Sequence, residues 1–298
     1  MASATSCKLL LYADDSTLIV SGKEVSTIQS RLTQELESLR EWLIDNKLSL
    51  HLGKTEAILF GSKRKLKSAP VLDINCSGNK LENKTSVKYL GIELDQNLSG
   101  DCVAKSAISK IDKKLKFLYR NTKSFDLKTK RLLVSALIQC HFDYACSSWY
   151  SGISKYCKSK LQIMQNKSIR YMLNLSPRSH IGIQEFKKVD MLPVELRVKQ
   201  LKLNHIFNVV HNSAPNYLSI SFIRDQHSIN TRSGRNAAVI PAVKSHGITS
   251  FVYTASKAWN ELPNNIQAVH SKSVFKQHVK RFLSLTYECA YNSAYLYF

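Results

Sequence analysis

The chain has 298 residues, 44% of them hydrophobic, and its formal net charge at pH 7 is +21. This length and hydrophobicity can bury a substantial core, which excludes an intrinsically disordered protein and allows about two domains. The excess positive charge indicates a polyanionic partner such as nucleic acid. The 7 cysteines are odd in number and form no Cys-x-x-Cys pair, which predicts reduced thiols rather than a disulfide framework.

No apolar run approaches the length of about 20 residues that a membrane helix needs. The apolar run at residues 9–12 is too short for a signal-peptide core, and no cleavage pattern follows it. We therefore expect an intracellular protein, nuclear or cytoplasmic, without a membrane partner.

The positive charge is concentrated in the last two thirds of the chain. Residues 1–100 contain 13 Lys and Arg against 12 Asp and Glu, whereas residues 101–298 contain 30 against 10. This distribution predicts a nearly neutral first part followed by a part that binds a polyanion.

Two adjacent acidic residues stand between two apolar runs near the start of the chain. Leu-Leu-Leu-Tyr at residues 9–12 precedes Asp14 and Asp15, and a second run follows at residues 18–20. This pattern predicts two strands joined by a tight turn with the acidic pair at its tip. Adjacent carboxylates repel each other unless a cation lies between them, and such oxygen-rich sites suit Mg²⁺. The alternative is a solvated hairpin tip, because Asp is a common turn residue.

The segment after the acidic pair predicts a helix and further strands. Apolar residues recur at helical spacing from Val25 to Leu43, with Glu35 assigned to the opposite, polar face, and the helix is predicted to end near Asn46. Strands are predicted at residues 57–60, 71–74 and 87–94. Three short motifs follow in order: Asn46-Lys47-Leu48-Ser49-Leu50, Lys54-Thr55 and Tyr89-Leu90-Gly91.

Tyr12-Ala13-Asp14-Asp15, the amphipathic helix and these three motifs occur in the order seen in the palm of reverse transcriptases. The chain resembles most closely the reverse transcriptases of non-LTR (LINE-type) retrotransposons, and residues 251–263 resemble the distal end of those polyproteins. Each motif alone is weak, but the ordered set is specific. The resemblance implies an RNA-directed DNA polymerase that uses Mg²⁺ on an RNA template and DNA primer.

The resemblance also implies roles for single residues. Asp14 and Asp15 would bind Mg²⁺ and promote attack of the primer 3′-hydroxyl on the nucleoside triphosphate. Lys54 would help to protonate the departing pyrophosphate, with a solvated turn lysine as an equal alternative. The segment around residue 90 would form the hairpin that grips the primer end, with core packing as the alternative for its side chains. The residues implied to contact nucleic acid here are Tyr12, Tyr89, Leu90 and Gly91.

In reverse transcriptases a further aspartate and the nucleotide-binding fingers precede this hairpin, and we expect that neither fits into the few residues before Leu9. Two carboxylates hold a metal weakly and do not readily hold two metals in line with a primer end and a triphosphate. The isolated chain is therefore predicted not to polymerise. The alternatives are a partner chain that supplies the fingers and the missing palm, a non-catalytic nucleic-acid-binding protein, and a transposon relic without selected activity.

The hydrophobic period becomes helical from residue 101. Between Lys105 and Arg131, 10 basic residues, Lys130 among them, are accompanied only by Asp112 and Asp126. A solvated helix face usually mixes both signs, so this imbalance favours a surface that contacts phosphates. Its position corresponds to the thumb of the family. The candidate nucleic-acid-binding residues are Lys105, Lys110, Lys113, Lys114, Lys116 and Arg120.

Further helices are predicted at residues 127–149 and 154–175, from Pro193 to Pro215, at residues 251–262 and near the C-terminus. In the first of these, six side chains are predicted to face the core: Leu132, Leu133, Ala136, Leu137, Cys140 and Tyr144.

Together these patterns predict an α+β chain of three parts. A truncated reverse-transcriptase palm, made of a small antiparallel sheet and a helix, is predicted at residues 1–98. A mainly helical, thumb-like domain is predicted at residues 99–222, and a small C-terminal module at residues 223–298.

Overall fold

The fold is described from a computed structural model that gives residues 5–122, 124–215, 218, 240, 241, 243 and 247–295. The chain divides into two compact units, Met1–Leu98 and Ser99–Phe298. Short strands and a long helix form the first unit and helices form the second, so the predicted α+β class is confirmed. Within the described ranges, none of the helices has the length and apolar character that a membrane span requires.

The first unit pairs its strands two by two instead of joining them into one small sheet. Among the described residues three of these pairs are antiparallel and one, β3 with β6, is parallel. The strands are β1 (Lys8–Tyr12), β2 (Asp15–Ile19), β3 (Glu56–Ala57), β4 (Asn75–Cys76), β5 (Asn79–Lys80), β6 (Glu82–Asn83), β7 (Ser86–Tyr89) and β8 (Ile92–Asp95). The helices are α1 (Val25–Asp45) and α2 (Lys63–Ser68).

The core of the first unit lies between α1 and the segment before β4. Leu72 and Ile74 are buried there against Leu36, whereas Val71 is exposed, which is the alternation of a strand. The predicted strand at residues 71–74 is nevertheless wrong, because regular pairing begins only at β4. The side-chain oxygen of Gln29 in α1 accepts a hydrogen bond from the N–H of Asp73 at 3.1 Å. This N–H is therefore bonded to a side chain and not to a neighbouring strand.

Three helices of the second unit begin at or next to the predicted starts, residues 154, 193 and 251. Ser154 Oγ accepts the N–H of Cys157, Ser250 Oγ accepts the N–H of Tyr253, and Pro193 precedes the ninth helix. The helices are α3 (Asp101–Asn121), α4 (Leu127–Val134), α5 (Cys140–Asp143), α6 (Cys146–Trp149), α7 (Lys155–Met172), α8 (Ile183–Val189), α9 (Val194–Val210), α10 (Phe251–Asn260), α11 (Asn264–Gln267) and α12 (Lys272–Tyr295).

Helices α3 and α7 lie side by side and run in the same direction. At their N-termini, Asp101 Oδ1 accepts the N–H of Ser154 at 2.8 Å. Towards their C-termini, the Tyr119 hydroxyl donates to the carbonyl of Lys167 at 3.2 Å. Lys167 Nζ also lies 3.8 Å from Asp112 Oδ1. These contacts bring the outer faces of the two helices next to each other.

The predicted helix over residues 127–149 is interrupted, and its predicted inward face is wrong. A π-helical segment, Ser135–Gln139, follows α4, and Ala145 with φ +48° separates α5 from α6. Leu132 and Tyr144 are 69% and 57% exposed, whereas Val134 is buried. Both faces of this segment carry apolar side chains, so periodicity alone could not choose between them.

A core rich in aromatic rings joins α9 to the helices after residue 250. Trp259 is fully buried, and its ring centroid lies 5.7 Å from that of Phe275. Phe207 of α9 stacks on Phe275 with 4.4 Å between centroids. The predicted domain boundary at residue 223 lies outside the described residues, and the division into three domains stays a prediction.

A lysine of α9 is buried in the interior of the second unit. Lys202 of α9 is 4% exposed and donates to the hydroxyls of Ser151 and Thr254. Burial lowers the pKa of Lys202 to about 8. The protonated side chain is therefore less favourable in the folded chain than in the unfolded one.

The lowered pKa of Lys202 is expected to contribute a rise of about 1 kcal/mol to the free energy of unfolding between pH 7 and pH 9. In this window the unfolded chain keeps the proton of Lys202, whereas the folded chain loses it near pH 8. From about pH 8 upward the effect is partly opposed, because burial raises the pKa of Cys146 to about 12 whereas the unfolded thiol ionises near its ordinary pKa of about 8.5.

Urea denaturation at pH 7, 8 and 9 measures this slope. The variant Lys202→Met should lose the rise that Lys202 contributes over this range. Lys199→Met, on the same helix with its amine 2.6 Å from Glu261, should keep the wild-type slope. An unchanged slope in Lys202→Met would contradict the assignment to Lys202.

Candidate functional site

The acidic pair lies at the tip of the β1–β2 hairpin, as the sequence predicted. The two strands pair in register from Lys8 with Ile19 to Tyr12 with Asp15, and they leave a two-residue turn. Ala13 in this turn has φ +50°, a left-handed conformation typical of tight hairpin turns. Asp14 is therefore the second turn residue, and Asp15 is the first residue of β2.

The tip and much of the hairpin are open to solvent. Asp14 and Asp15 are exposed, and so are apolar side chains of β1, with Leu11 at 53% and Tyr12 at 65%. Two adjacent carboxylates are a suitable donor set for Mg²⁺, which prefers oxygen ligands. In the described part of the chain no three acidic, His or Cys side chains come together as a metal site. The hairpin thus offers at most part of a coordination sphere.

Helix α1 holds the entrance of this hairpin through Glu35. Its carboxylate accepts hydrogen bonds from the N–H of Ser6, at 2.8 Å, and from the Ser6 hydroxyl. The hydroxyl bond is the main cause that lowers the pKa of Glu35. The sequence placed Glu35 on the polar face, but the residue is buried. No local pattern distinguishes it from Glu37 and Glu41, the other glutamates of α1, neither of which is buried.

Lys54 is an exposed lysine in a turn. It ends a 3₁₀ turn, Leu52–Lys54, and its N–H donates to the carbonyl of His51 at 3.0 Å. The turn lies just before β3. The catalytic role implied by the resemblance stays a prediction.

Tyr89, Leu90 and Gly91 belong to a second tight hairpin. β7 pairs with β8 from Ser86 with Asp95 to Tyr89 with Ile92, so Leu90 and Gly91 form the turn. The continuous strand predicted at residues 87–94 is therefore folded back on itself. Leu90 and Gly91 have φ +45° and +80°, both positive as in a type I′ turn. Gly91 meets this requirement without strain, whereas Leu90 adopts a conformation that is unfavourable for its Cβ.

All six basic residues predicted on α3 are exposed. Lys113 and Arg120 point away from the buried face formed by Ala104, Ile111 and Leu118. The other four are Lys105, Lys110, Lys114 and Lys116.

The neighbours of these lysines differ along the helix. Burial is the main cause that lowers the pKa of His141 in α5. The positive charges of Lys110 and Lys114 lie near this ring and lower its pKa further. Lys116 pairs with Asp112 at 2.7 Å, and this pairing lowers the pKa of Asp112. Lys116 is thus already partly neutralised, whereas no acidic partner is described for Lys110 or Lys113.

Lys130 does not belong to the exposed basic surface on which the sequence placed it. It is fully buried, donates to Asn174 Oδ1, and lies 5.2 Å from the ring centroid of Tyr171. An aromatic face and an amide oxygen can hold a buried ammonium group. The role of Lys130 is therefore to join α4 to the end of α7.

The sequence reasoning missed a second run of basic residues on α7. This helix contains no acidic residue. A count of charges over residues 155–172 would have found it. Its basic residues are Lys155, Lys158, Lys160, Lys167 and Arg170.

Residues 1–94 match the family described as reverse transcriptase (RNA-dependent DNA polymerase). No match was found among curated proteins or among solved structures. The family match supports a reverse transcriptase domain in the first unit, with the acidic hairpin inside the matched range. Reverse transcriptases in general use divalent metal ions and bind template and primer.

Proposed function

We propose that the chain is the C-terminal portion of the reverse transcriptase of a non-LTR retrotransposon, with Asp14 and Asp15 as Mg²⁺ ligands. One observation carries the proposal: Tyr12-Ala13-Asp14-Asp15 forms the tip of a tight hairpin inside the range matched by the reverse transcriptase family. In this proposal residues 1–98 are the palm, residues 99–222 the thumb and residues 223–298 a C-terminal module. The partner is an RNA template paired with a DNA primer.

The proposed chemistry is transfer of a nucleotide to the 3′-hydroxyl of a primer. Bound Mg²⁺ would supply charge stabilisation for the reacting phosphate. Asp14 and Asp15 hold the ion through their carboxylate oxygens. Tyr12 and the turn at Leu90 and Gly91 contact the primer end. Lys54 donates a proton to the departing pyrophosphate.

The chain by itself is proposed to be inactive. The described residues bring no third acidic side chain to the hairpin, and two carboxylates do not hold two metals in line for phosphoryl transfer. In this proposal the remaining aspartate and the fingers belong to the intact polyprotein, and a partner chain that supplies them is the alternative.

Primer extension with the purified 298-residue chain, Mg²⁺ and an RNA template annealed to a DNA primer tests this part. We expect no extension above background. Extension that disappears in Asp14→Asn would contradict the proposed inactivity while supporting the metal site.

Manganese titration followed by electron paramagnetic resonance tests the ligands without relying on activity. Weak binding of Mn²⁺ that is lost in the double variant Asp14→Asn and Asp15→Asn is expected. Glu41→Gln and Asp45→Asn, exposed acids of α1, form a matched control and should leave binding unchanged. Equal binding by all three proteins would remove Asp14 and Asp15 from the proposed metal site.

A non-catalytic nucleic-acid-binding protein is the second candidate, favoured by the exposed lysines of α3. It predicts salt-sensitive binding that persists in the Asp14→Asn and Asp15→Asn variant. The third candidate is a transposon relic, favoured by exposed apolar side chains on a hairpin whose strands pair only with each other among the described residues. It predicts poor folding and weak binding.

A further inference from the structure

Helix α7 presents a positive face of its own beside the lysines of α3. It has five basic residues and no acidic residue over Lys155–Met172. Its buried side, formed by residues such as Leu161 and Ile169, faces the core, so the charge is directed outward. Since a merely solvated helix face usually mixes both signs, this bias indicates a polyanionic ligand.

Apolar and basic side chains alternate on one edge of this face. Tyr156, Lys160, Ile163 and Lys167, here called the α7 stripe, follow each other at helical spacing and extend over about 16 Å at 1.5 Å per residue. Tyr156 is 65% exposed and Ile163 is 42% exposed. Lys160 Nζ lies 5.4 Å from the ring centroid of Tyr156. The ring is thus presented to solvent beside a positive charge.

The α7 stripe lies on the side of α7 that adjoins α3. Lys167, its last member, is 3.8 Å from Asp112 of α3. Lys116 of α3 lies 2.7 Å from the same carboxylate. The two basic surfaces are therefore contiguous, and a ligand on one can continue onto the other.

We propose that the α7 stripe binds a single-stranded segment of nucleic acid next to a duplex held by α3. The unpaired bases stack on Tyr156 and pack against Ile163, and the phosphates contact Lys160 and Lys167. This inference rests on the proposed nucleic-acid-binding function of α3 and adds a second, chemically distinct subsite.

The apolar members of the stripe decide between a single strand and a duplex. A duplex presents phosphates and hides the faces of its bases, so Tyr156 and Ile163 would gain little from it. A single strand has free base faces, which stack on exposed aromatic rings in a sequence-tolerant way, while neighbouring lysines follow its backbone. An acidic protein would satisfy the lysines but would leave the aromatic ring without a specific role.

The test compares two DNA strands of about 12 nucleotides, within the usual site size of such proteins. One is oligothymidylate, and the other has the same backbone with abasic sites. Wild-type protein is expected to bind the base-bearing strand about tenfold more tightly, the size of one stacking contact. Tyr156→Ala should lose this preference, and Tyr156→Phe should keep it. Because Tyr156 is exposed, both variants are expected to fold.

Charge is tested separately from stacking. In Lys160→Gln with Lys167→Gln the salt dependence of single-strand binding should decrease by about 1 in slope, because each full contact contributes about 0.7 and Lys167 is partly neutralised by Asp112 at 3.8 Å. Lys257→Gln with Lys276→Gln removes two exposed charges from α10 and α12 and serves as the matched control. It should leave the slope unchanged.

Each outcome separates this inference from the proposed function. If wild-type protein binds a primer–template duplex through α3 but shows no preference for base-bearing single strands, the α7 stripe is not a stacking subsite. The same conclusion follows if Tyr156→Ala keeps the preference. If the wild type binds neither duplex nor single strand, the nucleic-acid-binding function itself fails. If Lys160→Gln with Lys167→Gln and its control change the salt slope equally, binding depends on net charge and not on the α7 stripe.

Discussion

Replacing Lys110, Lys113, Lys114 and Lys116 with Gln is expected to weaken binding of an RNA–DNA duplex by about a hundredfold at physiological salt. Each phosphate contact contributes about 0.9 to the slope of log affinity against log salt for a duplex. Lys116 is already paired with Asp112, so about three full contacts are lost. The slope should therefore decrease by nearly three.

Fluorescence anisotropy with a labelled RNA–DNA duplex over a salt series measures both quantities. The matched control replaces Lys257, Lys272, Lys276 and Arg281 with Gln, four exposed charges on α10 and α12. The control removes the same net charge and should change the slope by less than one contact. Equal losses in both variants would show that net charge, and not the surface of α3, determines binding.

A second prediction distinguishes α3 lysines by their surroundings. Among single variants, Lys113→Gln is expected to weaken duplex binding more than Lys116→Gln. Lys113 is exposed without a described acidic partner, whereas the amine of Lys116 lies 2.7 Å from Asp112. The reverse order would mean that the duplex does not approach the outermost side of α3.

Trp259→Ala is expected to lower the free energy of unfolding of the second unit by about 4 kcal/mol. Trp259 is fully buried, and its ring packs against that of Phe275, which in turn stacks on Phe207 of α9. The cavity left by the indole cannot be filled by movement of the backbone, because Gln267 Nε2 donates hydrogen bonds to the carbonyls of Trp259 and Leu262 and holds the chain in place. Urea denaturation measures the loss.

Amide hydrogen exchange on the same variant tests the predicted boundary near residue 223. If residues 99–298 unfold as one cooperative unit, protection should also fall in α3 and α7, far along the chain from the substitution. If a separate C-terminal module exists, the loss should be limited to α10, α11, α12 and the part of α9 they cover. Lys257→Gln, an exposed substitution on the same helix as Trp259, is the control and should change neither stability nor protection.

The acidic hairpin was predicted from local sequence, whereas the β7–β8 hairpin was implied only by the resemblance, since the local pattern predicted one strand over residues 87–94. Asp14 and Gly91 stand in two-residue turns between strand-forming runs, and turn residues of this kind determine where a chain folds back. The prediction was less accurate for Leu90, since a leucine with positive φ has no signal in its own propensity. The glycine after it is the only local indication of the turn.

The burial of individual charged residues could not be predicted in the same way. Lys130, Lys202 and Glu35 all look like surface residues by type, and all three are buried. Each is stabilised by a partner distant in sequence: Asn174 for Lys130, Ser151 and Thr254 for Lys202, and Ser6 for Glu35. Such partners come together only when distant segments of the chain pack, and a buried charge is tolerated only where they do.

The sequence by itself determined the long helices α1, α3, α7 and α9, the helix starts at Ser154 and Pro193, the acidic hairpin and the excess of positive charge after residue 100. These properties depend on neighbours within about four positions along the chain, where turn chemistry, capping and helical spacing act. Only the tertiary structure decided which face of α4 is buried and that α7 lies beside α3. Two apolar faces of one helix are equivalent until another helix covers one of them, and that choice depends on shape complementarity between distant segments.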